Sequence, residues 1–218
     1  ALALDLRRPS FWANFPPWGC DERIAIVRHV IAPLIEGEAL DDPRRIYGAM
    51  HKRLRLLANQ WGAPGPVHQA VAGVDIALWD AFARLSGKPL AALLREDGRA
   101  PDRVPAYASG IAPPHVEATI AAARARGHSR FKIRLSFGLE ADCATLATAR
   151  RMAGELPVMA DANQTLDADR FRALLPALEA ARLDWLEEPF PVDDVEAYRT
   201  WPREHGIPLA FGENAQGV

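Results

Sequence analysis

The 218-residue sequence has little cysteine, no surplus of positive charge and no long apolar run, and each shortage closes off a class of function. Its two cysteines, Cys20 and Cys143, stand far apart and match neither a disulfide framework nor a zinc-ligand spacing. A reducing, cytoplasmic setting is the expectation that follows. Lysine and arginine total 26 against 28 acidic residues, a formal net charge of −2. No basic field is available to attract nucleic acid or an anionic membrane surface. No apolar run approaches a membrane span, and no basic-then-apolar leader opens the sequence. What remains is 49% hydrophobic and 25% charged, the composition of an ordinary enzyme-sized domain with a substantial core.

The first hundred residues read as helical and the rest alternates. Residues 1–20 carry Phe11, Trp12, Phe15, Pro16, Pro17 and Trp18 without any period, which reads as a packed loop. From Asp21 to Ile35 apolar residues recur at helical spacing, broken late by Pro33. Pro43 to Asn59 is a second helix, with His51, Lys52, Arg53 and Arg55 on a solvated face. A third runs from Pro66 to Ser86 and is stopped by Gly87, with Pro89 beyond. After a linker at Asp97 to Arg103 the period changes. Strands are expected at Val104–Ser109 and Arg130–Leu135, with helices at Pro113–Arg126, Glu140–Gly154, Ala168–Ala181 and Val192–His205. The division falls between residues 1–103 and 104–218.

The three remaining segments are Pro157–Asn163, Asp184–Pro189 and Pro208–Asn214. Each reads as a short buried strand whose polar residues come last, because parallel strands tolerate no charge in mid-run. Their carboxylates, Asp161, Glu187 and Glu213, are 26 residues apart at each step (161 to 187, 187 to 213), the repeat of a βα unit. The fold class that follows is α/β, a (β/α) barrel of TIM type with five strands in this chain. In such a barrel, C-terminal strand ends converge on one mouth. Three hard oxygen ligands there suit Mg²⁺, with positions left for water and substrate.

Together these residues resemble the mandelate racemase and muconate lactonizing enzyme family of the enolase superfamily. The resemblance rests on Ala72-Gly-Val-Asp75-Ile-Ala-Leu-Trp79-Asp80-Ala81 with Gly87-Lys-Pro-Leu90, on Lys132-Ile-Arg134, and on Asp161-Ala-Asn163-Gln164. Leu186-Glu187-Glu188-Pro189 and Gly212-Glu213-Asn214 complete it. It implies an α+β capping domain, here represented by its helical part in residues 1–103, closing over a modified barrel in 104–218. It also implies removal of the proton α to a carboxylate to give an enediolate stabilised by Mg²⁺, chemistry for which the superfamily is a standing example. Asp161, Glu187 and Glu213 would be the metal ligands, and Lys132 would contact the carboxylate of a small-molecule substrate. Asn163 and Glu188 would either orient the ligands or serve as a turn residue and a solvent-facing strand terminus. The stretch Phe11–Trp18 would be a lid element or a packed surface loop.

Arg134 departs from the family pattern, which usually has a second lysine there. Arginine stays protonated, so it is a fixed charge rather than a general base, unless it only pairs with a neighbouring carboxylate. A two-base racemization is disfavoured on that ground. Glu-Glu-Pro and Gly-Glu-Asn resemble the subgroup rich in acid-sugar dehydratases. The expected function is therefore dehydration of a sugar acid or related hydroxy acid by a Mg²⁺-dependent lyase. The rival expectations are a racemase, epimerase or cycloisomerase of the same superfamily, and a non-catalytic metal-binding homologue or fragment. His115, His128 and His205 are expected at the surface, away from the mouth. The catalytic base is expected beyond Val218. Three further strands are expected from a longer polypeptide or a partner, and a homo-oligomer is the expected assembly, as the family commonly forms one.

Overall fold

The structure, a computed structural model, describes residues 20–62 and 64–214. The aromatic stretch Phe11–Trp18 lies outside them. The chain divides into two compact units between Arg103 and Val104. The first is helical: α1 (Cys20–Ile26), a π-helical turn (Val27–Ile31), α2 (Ala32–Ile35), α3 (Pro43–Gln60), α4 (Pro64–Ser86) and α5 (Leu90–Leu94). The single helix expected at 21–35 is thus interrupted, and Ala32 N–H bonds Val27 O at the end of the π turn. A proline interferes with the preceding turn, and a π turn just ahead of Pro33 accommodates the irregularity. In α3, Asp42 caps the N-terminus by accepting from Arg44 N–H, and Pro43 occupies the first turn, where its missing N–H costs nothing. Ile46, Met50, Leu54 and Ala58 then form one buried stripe at four-residue spacing. That stripe packs with Val67, Ala70, Val71 and Val74 of α4. The α4 end is a Schellman turn: Gly87 has φ +60, Lys88 N–H bonds Ala83 O and Gly87 N–H bonds Arg84 O.

The second unit is a parallel five-stranded sheet in sequential order, with strands β1 (Ala108–Ile111), β2 (Phe131–Arg134), β3 (Val158–Asp161), β4 (Leu186–Glu187) and β5 (Leu209–Ala210). Helices α6 (Val116–Ala125), α7 (Leu139–Ala153), α8 (Ala168–Ala181) and α9 (Val195–His205) connect them. Alternation along the strands separates the two faces. Phe131, Ile133, Val158, Ala160 and Leu186 join Ile120, Leu146, Ala149, Phe171, Leu174 and Leu178 in the apolar core under the helices. Lys132, Arg134, Met159, Asp161 and Glu187 therefore project from the opposite face.

Several boundaries differ from the sequence reading. Strand β1 starts at Ala108 and not at Val104: Pro105 has no amide for a ladder, and Val104 is exposed. Helix α6 starts at Val116, after Pro113 and Pro114, because a residue preceding proline is driven out of the helical region. Helix α9 starts at Val195, because Asp194 accepts from Ala197 N–H and acts as its cap. Strand β5 is paired only over Leu209–Ala210. His115 is exposed as expected, but His128 and His205 are half-buried, and the His205 ring lies against Phe171.

Candidate functional site

Strand register brings two of the three carboxylates side by side. Asp161 pairs with Glu187 between β3 and β4, and Arg134 pairs with Asp161 between β2 and β3. One step back on β2, Lys132 lies on the same face as Arg134. Its Nζ donates to Asp161 Oδ2 at 3.1 Å and to Glu187 Oε2 at 2.9 Å. All three side chains are largely buried, with the lysine 12% exposed. Burial pushes the Lys132 ammonium down, but its bonds to Glu187 and Asp161 outweigh that and hold it above the ordinary lysine value. The residue is a fixed cation at neutral pH.

Glu213 is not in register with the other two, which corrects the expectation of three equivalent strand ends. The β5 partner of Glu187 is Ala210, three residues before Glu213, which lies past the paired strand on an exposed bend. The step of 26 residues matches the register from Asp161 to Glu187 but not from Glu187 to Glu213. Among the described residues no three His, Cys, Asp or Glu side chains are gathered to hold a metal. The donor chemistry nevertheless fits a hard cation. Two carboxylates already converge on one positive group, and Glu213 lines the same cavity of about 280 Å³ as Glu187.

Arg134 is exposed and donates through Nε to Asn163 Oδ1 at 2.8 Å, so its observed partner is an amide and not a carboxylate. Asn163 in turn donates its backbone N–H to Asp161 Oδ1 at 3.0 Å. Asn163 and Gln164 both have positive φ, 44 and 63. Glu188 is not a solvent-facing terminus: it is 2% exposed. Its carboxylate accepts from the backbone and side-chain nitrogens of Asn214.

Four contributors were given no role in the sequence reading of the site, although Gln164 and Asn214 stand within its motifs. The Lys132 ammonium lies 5.7 Å from the Tyr107 ring centroid, within cation–π range. Tyr107 meets Trp185 edge to face at 5.9 Å, and the Trp185 indole N–H points to Glu187 Oε2 at 3.4 Å. Trp185 was legible through alternation, two residues before Glu187 on the same face. Gln164 Oε1 accepts from Val192 N–H, and Asn214 holds Glu188; both contacts span turns that no local pattern announces.

Residues 14–95 match the mandelate racemase/muconate lactonizing enzyme N-terminal domain, and residues 115–218 match the enolase C-terminal domain-like family. The chain belongs to the enolase superfamily. This superfamily chain is 31% identical over 187 residues to D-galactarolactone cycloisomerase of Agrobacterium fabrum, a match covering 81% of this chain and 48% of the relative. It is also 31% identical over 193 residues to L-talarate/galactarate dehydratase of Salmonella typhimurium, covering 84% and 46%. It thus spans about half the length of the curated relatives it matches. A mandelate racemase/muconate lactonizing enzyme from Bordetella bronchiseptica superposes with a TM-score of 0.83 at 40% identity, covering 95% of this chain and 57% of the other. A Bradyrhizobium enolase solved with magnesium and mandelic acid superposes with a TM-score of 0.77 at 30% identity, covering 92% and 54%. No helix among the described residues is long and apolar enough to cross a membrane.

Proposed function

We propose that this chain carries the cation-binding side of a Mg²⁺-dependent enzyme that removes the proton α to a carboxylate, and that the reaction is dehydration of a sugar acid or related hydroxy acid. The observation that carries the reading is the Lys132 ammonium bonded at once to Asp161 Oδ2 and Glu187 Oε2. An α-proton is weakly acidic because its loss concentrates negative charge on two carboxylate oxygens, and a preorganised cation beside those oxygens lowers that cost. Asp161, Glu187 and Glu213 would hold Mg²⁺, which when bound supplies Lewis-acid stabilisation of that charge. Lys132 would then release one of its two carboxylate partners and donate to a substrate oxygen. Asn163 steadies Asp161, and Arg134 steadies Asn163 while adding fixed positive charge.

Arg134, a fixed charge, is a poor proton acceptor, and Lys132 is given to the substrate oxygens. The acceptor is placed, as part of this proposal, in polypeptide beyond Val218. A homo-oligomer in the cytoplasm completes the proposal. Cycloisomerization is the second reading, because the curated relative with that activity is as similar as the dehydratase. The deciding experiment follows a panel of aldonic and aldaric acids and their lactones with the full-length protein and Mg²⁺ in D₂O by proton NMR. Loss of water with deuterium incorporated at the neighbouring carbon supports dehydration. Ring opening or inversion with exchange supports isomerization. If the full-length protein neither consumes the α-proton nor exchanges it on any acid of the panel, both readings are overturned.

A further inference from the structure

We propose that Glu188 is a positioning residue that sets the place of Glu213 by clamping Asn214, an inference that rests on the reading of Glu213 as a metal ligand. Glu188 sits where three strand-end loops meet. Its backbone N–H donates to Ala210 O at 2.9 Å, and its carbonyl accepts from Gln164 N–H at 2.6 Å. Its carboxylate accepts from Asn214 N–H at 3.0 Å and also from Asn214 Nδ2. One residue thus connects the loops that carry Asp161, Glu187 and Glu213.

The loop after β5 needs such a device. Strand pairing ends at Ala210, and Glu213 is exposed and makes no hydrogen bond or ion pair among the described residues. Asn214, its immediate neighbour, is the point at which the loop is tied down. A buried carboxylate is costly unless its oxygens are bonded, and Asn214 offers donors to both. Glu188 also holds φ +37, a conformation that non-glycine residues adopt at a cost and that turns its side chain back toward the loop. A packing role alone would not call for a charged group here, since an apolar residue fills a core without needing partners.

The test uses the full-length protein and Mn²⁺ alone as the probe, with affinity read by calorimetry and stability by thermal unfolding. Asn214 is exposed, so N214D perturbs the clamp without touching the core. It sets a carboxylate against Glu188 and should weaken Mn²⁺ binding by about 10-fold, although the added negative charge alone would strengthen it. The double variant E188Q/N214D reverses donor and acceptor: the amide introduced at position 188 can donate to the carboxylate introduced at position 214, and most of the affinity should return. E213Q is the reference. If E213Q weakens Mn²⁺ binding and N214D does not, the clamp is overturned while the ligand reading stands. If E213Q binds Mn²⁺ as tightly as the parent, the ligand reading fails and the clamp falls with it. Weakening by N214D that the double variant does not recover also overturns the clamp.

Discussion

The two compact units bury polar groups differently. In the sheet unit, the buried Asp142, Asp161 and Glu188 all have partners: Asp142 accepts from the Ser136 and Phe137 amides, Asp161 from Lys132 and Asn163, and Glu188 from Asn214. In the helical unit, Arg23 donates to Gln69 at 2.6 Å, but Asp75 Oδ1 is buried without a hydrogen-bond partner among the described residues. Apolar stripes specify the helical unit. The sheet unit adds a polar network concentrated at the strand ends, where preorganised charge has a chemical use.

The sharpest way to break that contrast is to remove the cation at its centre. K132M leaves Asp161 and Glu187 facing each other without a positive group, and should lower stability by about 3 kcal/mol in denaturant unfolding. Added Mg²⁺ should raise the melting temperature of K132M by more than that of the parent, because the ion takes over the neutralising role. Equal shifts in the two proteins would mean that Lys132 and the metal do not address the same carboxylates. Substrate turnover should be lost in K132M even with saturating Mg²⁺, since the cation meant for the substrate oxygens is gone.

A smaller effect tests whether the sheet unit relies on bonded charge away from its site as well. The Arg150 guanidinium donates to the carbonyls of Ala181, Gly154, Leu156 and Arg182, binding the end of α7 to the end of α8. Burial, with the Arg182 charge second, pulls its pKa down without depriving it of its proton. R150M should cost about 2 kcal/mol while leaving Mn²⁺ affinity unchanged. A drop in affinity would show that the helix ends and the strand-end loops are mechanically coupled.

Much of this architecture was legible beforehand, for reasons that differ by element. The stripe from Ile46 to Ala58 and the span Ala168–Ala181 could be read because period and cap are local features. The pairing of Asp161 with Glu187 was readable because both end strands whose neighbours pair fully. The position of Glu213 was not, since where β5 stops depends on its ladder with β4 and not on its own residues. Glu188 was left between a ligand-orienting group and a solvent-facing terminus, because its burial follows from a left-handed turn after β4 that brings Asn214 over it. The roles assigned to Lys132 and Asn163 depended on the resemblance, whereas the carboxylates could be read as metal ligands from their spacing; Lys132, Arg134, Asp161 and Glu187 share one sheet face, and Glu187 and Glu213 line one cavity.

The smallest expected effect has the opposite sign and lies in the helical unit. Burial pushes the Asp75 carboxyl above the ordinary aspartate value of 3.8. A carboxyl raised in this way favours the folded state fully only below its unfolded pKa, and the benefit is lost as pH rises through the folded value. At neutral pH the parent therefore carries a penalty that an amide avoids. D75N should raise stability at pH 7 slightly, the partial exposure of the side chain keeping the gain small, and the gap should close as pH falls toward the ordinary aspartate value, where both side chains are neutral. Thermal unfolding of the two proteins across that range measures it. If D75N is instead the less stable protein at pH 7, Asp75 meets a donor in polypeptide beyond the described residues. The helical unit would then be another place where a buried charge is held by a partner, and the contrast between the two units would disappear.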